Sequence, residues 1–200
     1  MRRTAIEQLY RWKESTDRKP LIVQGARQVG KTWLMQAFAK EAYNKCAYVN
    51  FEDNEMLRHL FDNDFDIERI LTSIGLATGV NVDTDTLIIL DEIQEIPRGL
   101  AALKYFCEKA PEYHVAVAGS LLGITLHEGT SFPVGKVDML YLYPMDFEEF
   151  LCAMSKTQLL QLLGKKDWAC LSSMQQMLTE LLRQYYFVGG MPEALSLIHI

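Results

Sequence analysis

The chain has 200 residues, 49% of them hydrophobic and 23% charged, with a formal net charge of −6. That length supports one sizeable core and part of a second unit, and the acidic balance argues against a broad nucleic-acid-binding face. No apolar stretch reaches the ~20 residues of a membrane span, and the amino terminus lacks the apolar core of a signal peptide.

Six basic residues crowd the first nineteen positions. They read as the solvated side of a helix over about 5–12, with Ile6, Leu9 and Tyr10 forming the face that packs beside the first strand. Residues 20–24 are a short buried strand. Directly after it, Gly25-Ala26-Arg27-Gln28-Val29-Gly30-Lys31-Thr32 matches the phosphate-loop pattern G-x-x-x-x-G-K-[ST], and 33–40 continue as a helix with apolar residues at helical spacing. A glycine-rich turn lets successive backbone N–H groups point inward, and the positive end of the following helix reinforces that anion cradle. Lys31 is spaced to reach the β- and γ-phosphates of a triphosphate and the Thr32 hydroxyl to ligate Mg²⁺.

A second strand is expected over 46–51, followed by an acidic stretch that reads as a solvated surface. Glu52 and Asp53 are close enough to a strand end for a minor role at the nucleotide. A helix is expected over 67–75. Leu87-Ile88-Ile89-Leu90 is the unbroken apolar run of a strand buried on both faces, and it ends in Asp91-Glu92, a Walker B pattern. Asp91 would hold the Mg²⁺ shell, and Glu92 would polarise the water that attacks the γ-phosphate. Pro97 signals a helix over 99–109.

The strand expected over 113–119 closes on Ser120, a candidate sensor for the γ-phosphate or the attacking water, although Gly-Ser is also ordinary turn chemistry. A fifth strand is expected over 139–143. Beyond it, 147–154, 157–163 and 172–187 read as amphipathic helices with no further strand, which sets a boundary near residue 145: one unit over 1–145, a helical one over 146–200. Alternating strands and helices imply a three-layer α/β sandwich with a parallel sheet. Cys46, Cys107, Cys152 and Cys170 have no C-x-x-C spacing, so neither a zinc site nor a disulfide framework is expected, and scattered thiols point to the cytoplasm.

The phosphate-loop string, Leu-Asp-Glu-Ile-Gln at 90–94, Ala-Gly-Ser at 118–120, Tyr-Pro-Met-Asp-Phe-Glu-Glu-Phe at 143–150 and Gly-Gly-Met-Pro-Glu at 189–193 together resemble AAA-type ATPases of bacteria and archaea. The resemblance spans nearly the whole chain. It implies a P-loop NTPase domain of the additional-strand class, sheet order 5-1-4-3-2, followed by a winged-helix segment and a nuclease-like domain. It further implies ATP and Mg²⁺ as ligands, slow regulated hydrolysis, a homo-oligomer, and contact with nucleic acid through the carboxy-terminal part. ATP rather than GTP follows from the resemblance and from the lack of an N-K-x-D guanine motif. The apolar end at 195–200 reads as a truncation. Where the family commonly has Gly-Arg before the fifth strand this chain has Gly135-Lys136, which leaves the role of Lys136 open, and Arg27 is equally open between phosphate contact, a neighbouring subunit and plain surface. Two activities fit: hydrolysis that gates an effector domain, or a nucleotide-dependent switch with negligible turnover. A kinase is the weaker third, as no acceptor motif is evident.

Overall fold

The computed structural model describes residues 3–96, 98–120 and 132–198, with backbone alone for Ser120 and 196–198. Five strands, β1 (Leu21–Gly25), β2 (Lys45–Asn50), β3 (Thr86–Asp91), β4 (His114–Ser120) and β5 (Asp138–Leu142), form one sheet in the order β2-β3-β4-β1-β5. Every neighbouring pair is parallel. This is the order expected from the sequence, and a three-layer α/β P-loop NTPase fold. Every residue of β1 and β3 is buried, as two-sided burial requires, whereas the edge strands β2 and β5 are only partly covered.

The two-residue period of the strands separates two cores. Ile22, Ile88, Leu90, Val115 and Val117 face one way and pack with α3 (Ile67–Thr78) and α4 (Gly99–Lys109). Leu21, Val23, Leu87, Ile89, Ala116 and Ala118 face the other way, toward α1 (Ile6–Glu14) and α2 (Lys31–Ala42). In α2, Leu34, Met35, Phe38 and Ala39 are the buried apolar residues, an i, i+1, i+4, i+5 stripe. Asp66 caps α3 by accepting a hydrogen bond from the Arg69 N–H at 2.8 Å, and Gly79 ends that helix three residues later than 67–75 would have it.

After β5 come α5 (Phe147–Ala153), α6 (Thr157–Lys165), α7 (Trp168–Ser173), α8 (Gln175–Val188) and α9 (Pro192–Ile198), with a third core around Met145, Phe150, Leu151 and Leu181. The helix expected over 172–187 is two helices. Met174, at ψ 13°, ends α7, whose start is capped by Asp167 accepting from the Cys170 N–H at 3.1 Å. Amphipathic spacing runs through such a break, because two short helices packed on one core carry apolar residues at much the same intervals. Pro97 lies outside the described residues.

Candidate nucleotide site

The phosphate loop leaves β1 at the carboxy-terminal edge of the sheet, where parallel α/β sheets place ligands. Gln28 has φ 63° and Gly30 φ 94°, so the loop turns back on itself before α2 begins. The first intrahelical bond is Leu34 N–H to Gly30 C=O at 3.0 Å, leaving the N–H groups of Gly30, Lys31, Thr32 and Trp33 without helical acceptors at the positive end of the helix. The Lys31 ammonium donates to the carbonyls of Gly25 at 3.1 Å and Ala26 at 2.9 Å. It is 6% exposed, and burial lowers its pKa, with Glu92 and Asp91 pulling the other way. A buried cation is thus held over the cradle by the loop itself.

Asp91 ends β3 on the same face as Leu87 and Ile89, the face that carries α2. There its Oδ2 accepts from the Thr32 hydroxyl at 2.6 Å and from the Tyr48 hydroxyl at 3.0 Å. Tyr48 reaches it from β2 because Tyr48 is in register with Ile89 and shares its face. Burial and Asp91 push the Tyr48 phenol well above its usual pKa, so it stays a donor. Glu92 turns off the strand at φ 51°, a strained conformation for a residue with a Cβ, and its Oε2 accepts a hydrogen bond from the Gln94 amide.

Lys31, Thr32 and Glu92 line a cleft of about 450 Å³, with Arg27, Trp33, Glu52 and Glu193 on its walls, and Asp91 adjoins it through its bond to Thr32. Thr32 and Asp91 form a hard oxygen pair of the sort that suits Mg²⁺. Among the described residues no group of three or more His, Cys, Asp or Glu could hold a metal, so an ion there would complete its shell with water and nucleotide oxygens, as Mg²⁺ commonly does. Ser120 ends β4 in register with Gly25, at the root of the loop, but its side chain lies outside the description. Lys136 precedes β5 at the opposite end of the sheet, where Asp138 pairs with the first residue of β1, and it is ion-paired with Glu108 at 3.0 Å. About four strand residues, on the order of 13 Å, separate that end from the loop, which places Lys136 away from its own chain's phosphate site.

Tyr48 carries no motif in the sequence, and Gln94 and Glu193, which lie in the strings at 90–94 and 189–193, have no role at the site assigned by the sequence. Tyr48 and Gln94 are set by strand register and by a short 3₁₀ turn at Ile93–Glu95, and Glu193 arrives from α9. Arg3 is the clearest correction. It does not solvate a helix but is 2% exposed, and donates to the Val29 carbonyl of the loop at 3.0 Å.

No curated protein matches the sequence. A Walker-type ATPase of Pyrococcus abyssi is similar in structure, 18% identical over 78% of this chain and 59% of its own, with TM-score 0.46. The ORC1 protein of Aeropyrum pernix, solved in complex with DNA, is 12% identical over 76% of this chain and 48% of its own, with TM-score 0.50, a likeness of fold. The chain thus spans less than two thirds of either protein. A family model described as an AAA domain matches residues 17–151, from ahead of β1 into α5. The parallel sheet, the phosphate loop at its edge and this match agree: the chain belongs to the AAA domain family and has the P-loop NTPase fold.

Proposed function

We propose that the chain binds Mg·ATP and hydrolyses it in the cleft at the end of β1 and β3, coupling turnover to the helical segment over 146–200. The observation that carries this reading is the convergence of Lys31, Thr32, Asp91 and Glu92 on one cleft. The N–H groups of the loop and the start of α2 would bind the phosphates, and Lys31 would exchange its hold on the Gly25 and Ala26 carbonyls for phosphate oxygens. Mg²⁺, held through Thr32 and Asp91, would neutralise charge developing on the phosphates. Glu92 would take a proton from the attacking water once released from Gln94, and Ser120 would contact the γ-phosphate. Arg27, on the cleft wall, is placed to meet phosphate or a neighbouring copy.

Residues 1–145 would act as the ATPase unit and 146–200 as a winged-helix-like relay to an effector, with nucleic acid and a homo-oligomer as expected partners and the cytoplasm as the compartment. Among the described residues no helix is long and apolar enough to cross a membrane. The alternative, a switch with negligible turnover, draws support from the Gln94 amide, which donates to Glu92 Oε2 and occupies the group that would act as base.

Phosphate release from Mg·ATP with no second substrate decides between these. Lys31→Ala should lose nucleotide binding, and Glu92→Gln should still bind while turning over about 10²–10⁴-fold more slowly. Tight binding by the parent without phosphate release would favour the switch, and absence of binding would end the reading.

A further inference from the structure

The phosphate loop is tied from behind by a residue that no nucleotide motif contains. Arg3 donates through Nη1 to the Val29 carbonyl at 3.0 Å and through Nη2 to the Tyr143 carbonyl at 2.6 Å, and its Nε lies 2.9 Å from Glu149 Oε2. Glu149 Oε1 in turn accepts from both the backbone N–H and the hydroxyl of Thr4, each at 2.7 Å. Arg3 and Glu149 are 2% and 6% exposed. One guanidinium thus spans three elements: the loop, the exit of β5, and the first turn of α5. The two terminal nitrogens of the planar fork donate to the two carbonyls while Nε meets the carboxylate as an ion pair without hydrogen-bond geometry, directions that an ammonium cannot hold together.

The target of this fork is the peptide between Val29 and Gly30. A trans peptide is planar, so its C=O and N–H point opposite ways, and holding the Val29 carbonyl fixes the direction of the Gly30 N–H. On the Gly30 side local sterics leave it free. Gly30, at φ 94°, has no Cβ to resist rotation of that peptide on its own side. Arg3 supplies a tertiary restraint on that orientation through its bond to the Val29 carbonyl.

We infer that Arg3, seated on Glu149, is a positioning residue for nucleotide phosphate: it locks the Val29–Gly30 peptide with its N–H toward the cradle and joins the loop mechanically to α5. This rests on the reading of the cleft as an ATP site. Phosphate bound at the loop is thereby coupled to α5 through one side chain, a route separate from the approach of α9 to the cleft through Pro192 and Glu193.

Removing Arg3 alone would strand a buried carboxylate, so the decisive variant is Arg3→Met with Glu149→Gln, which removes both charges and keeps an acceptor for Thr4. Arg3→Lys, which keeps the charge and loses the fork, accompanies it. Each would be melted without nucleotide, titrated with Mg·ATP, and labelled at glycine nitrogen so that the Gly30 amide signal is followed during the titration. The expected result is a folded double variant whose Kd for Mg·ATP rises about tenfold, the size of one hydrogen bond to an anion, with Arg3→Lys between it and the parent. The Gly30 signal should respond to saturating nucleotide less than in the parent. A folded variant that binds within twofold of the parent, with an unchanged Gly30 response, would overturn the inference and leave the ATP site standing. Loss of folding in both variants before nucleotide is added would assign the pair to stability alone and overturn it as well. A parent that binds no ATP would remove both.

Discussion

His114 opens β4 on the same sheet face as α1 and α2, with the Tyr43 hydroxyl 2.5 Å from its Nδ1 and the rings of Tyr43 and Trp12 edge-on to it. Burial first, and then the Arg18 and Lys13 cations, push the imidazole down to about 4, with Asp85 opposing weakly. The folded pKa lies below the ordinary value of 6.5, so between about 4 and 6.5 the unfolded chain binds the extra proton. Stability therefore falls as pH drops through that window. A full proton corresponds to about 1.4 kcal/mol per pH unit, and a half-buried ring contributes a fraction of it. Urea midpoints at pH 7 and pH 4.5 should drop further for the parent than for His114→Gln; equal drops would mean that the ring is not held neutral. Nothing in the sequence marks His114, Tyr48 or Arg3, since each acquires its role from a neighbour at least 26 positions away. Lys31, Thr32 and Asp91 stand out because phosphate chemistry needs those residue types at fixed spacing from a strand end.

Among the elements, the strands were legible because two-sided burial leaves an apolar run that few other contexts produce, with ends displaced by about one residue. The helices beyond β5 were less so, and the turn joining α8 to α9 shows why. Gly189 and Gly190 have φ 72° and 70°, and Gly190 accepts the Met145 N–H at its carbonyl at 2.8 Å. A Cβ on Gly190 would lie 2.4 Å from the Met145 carbonyl oxygen. That close approach brings Pro192 against Gly30 and Glu193 into the cleft. Gly190→Ala should cost about 1–3 kcal/mol through strain at positive φ and a displaced α9, and should weaken Mg·ATP binding as well. A urea melt and a nucleotide titration check both effects; a stable variant with unchanged affinity would mean that α9 docks without this contact.

For the molecule as a whole, the Arg3 fork ties α5 and the third core to the phosphate loop and the end of β5, so the described residues should unfold together. ATP at about 100 times its Kd should stabilise the folded chain by about 2.7 kcal/mol, raising Tm by roughly 5–10 °C for a domain of this size. One calorimetric transition that moves as a unit is the expected outcome, and two transitions of which only the first responds would show the helices melting on their own. By itself the sequence determined the sheet, its strand order through resemblance, and it marked the loop and the Asp91-Glu92 pair as candidates for phosphate chemistry, because those readings depend on burial pattern and local spacing. Only the tertiary structure decided that Lys136 lies at the far end of the sheet, that Tyr48 joins Thr32 on Asp91, and that Arg3 is buried behind the loop. Such placements depend on register and on contacts between distant segments, and no local pattern of residues encodes which distant carbonyl a guanidinium will meet.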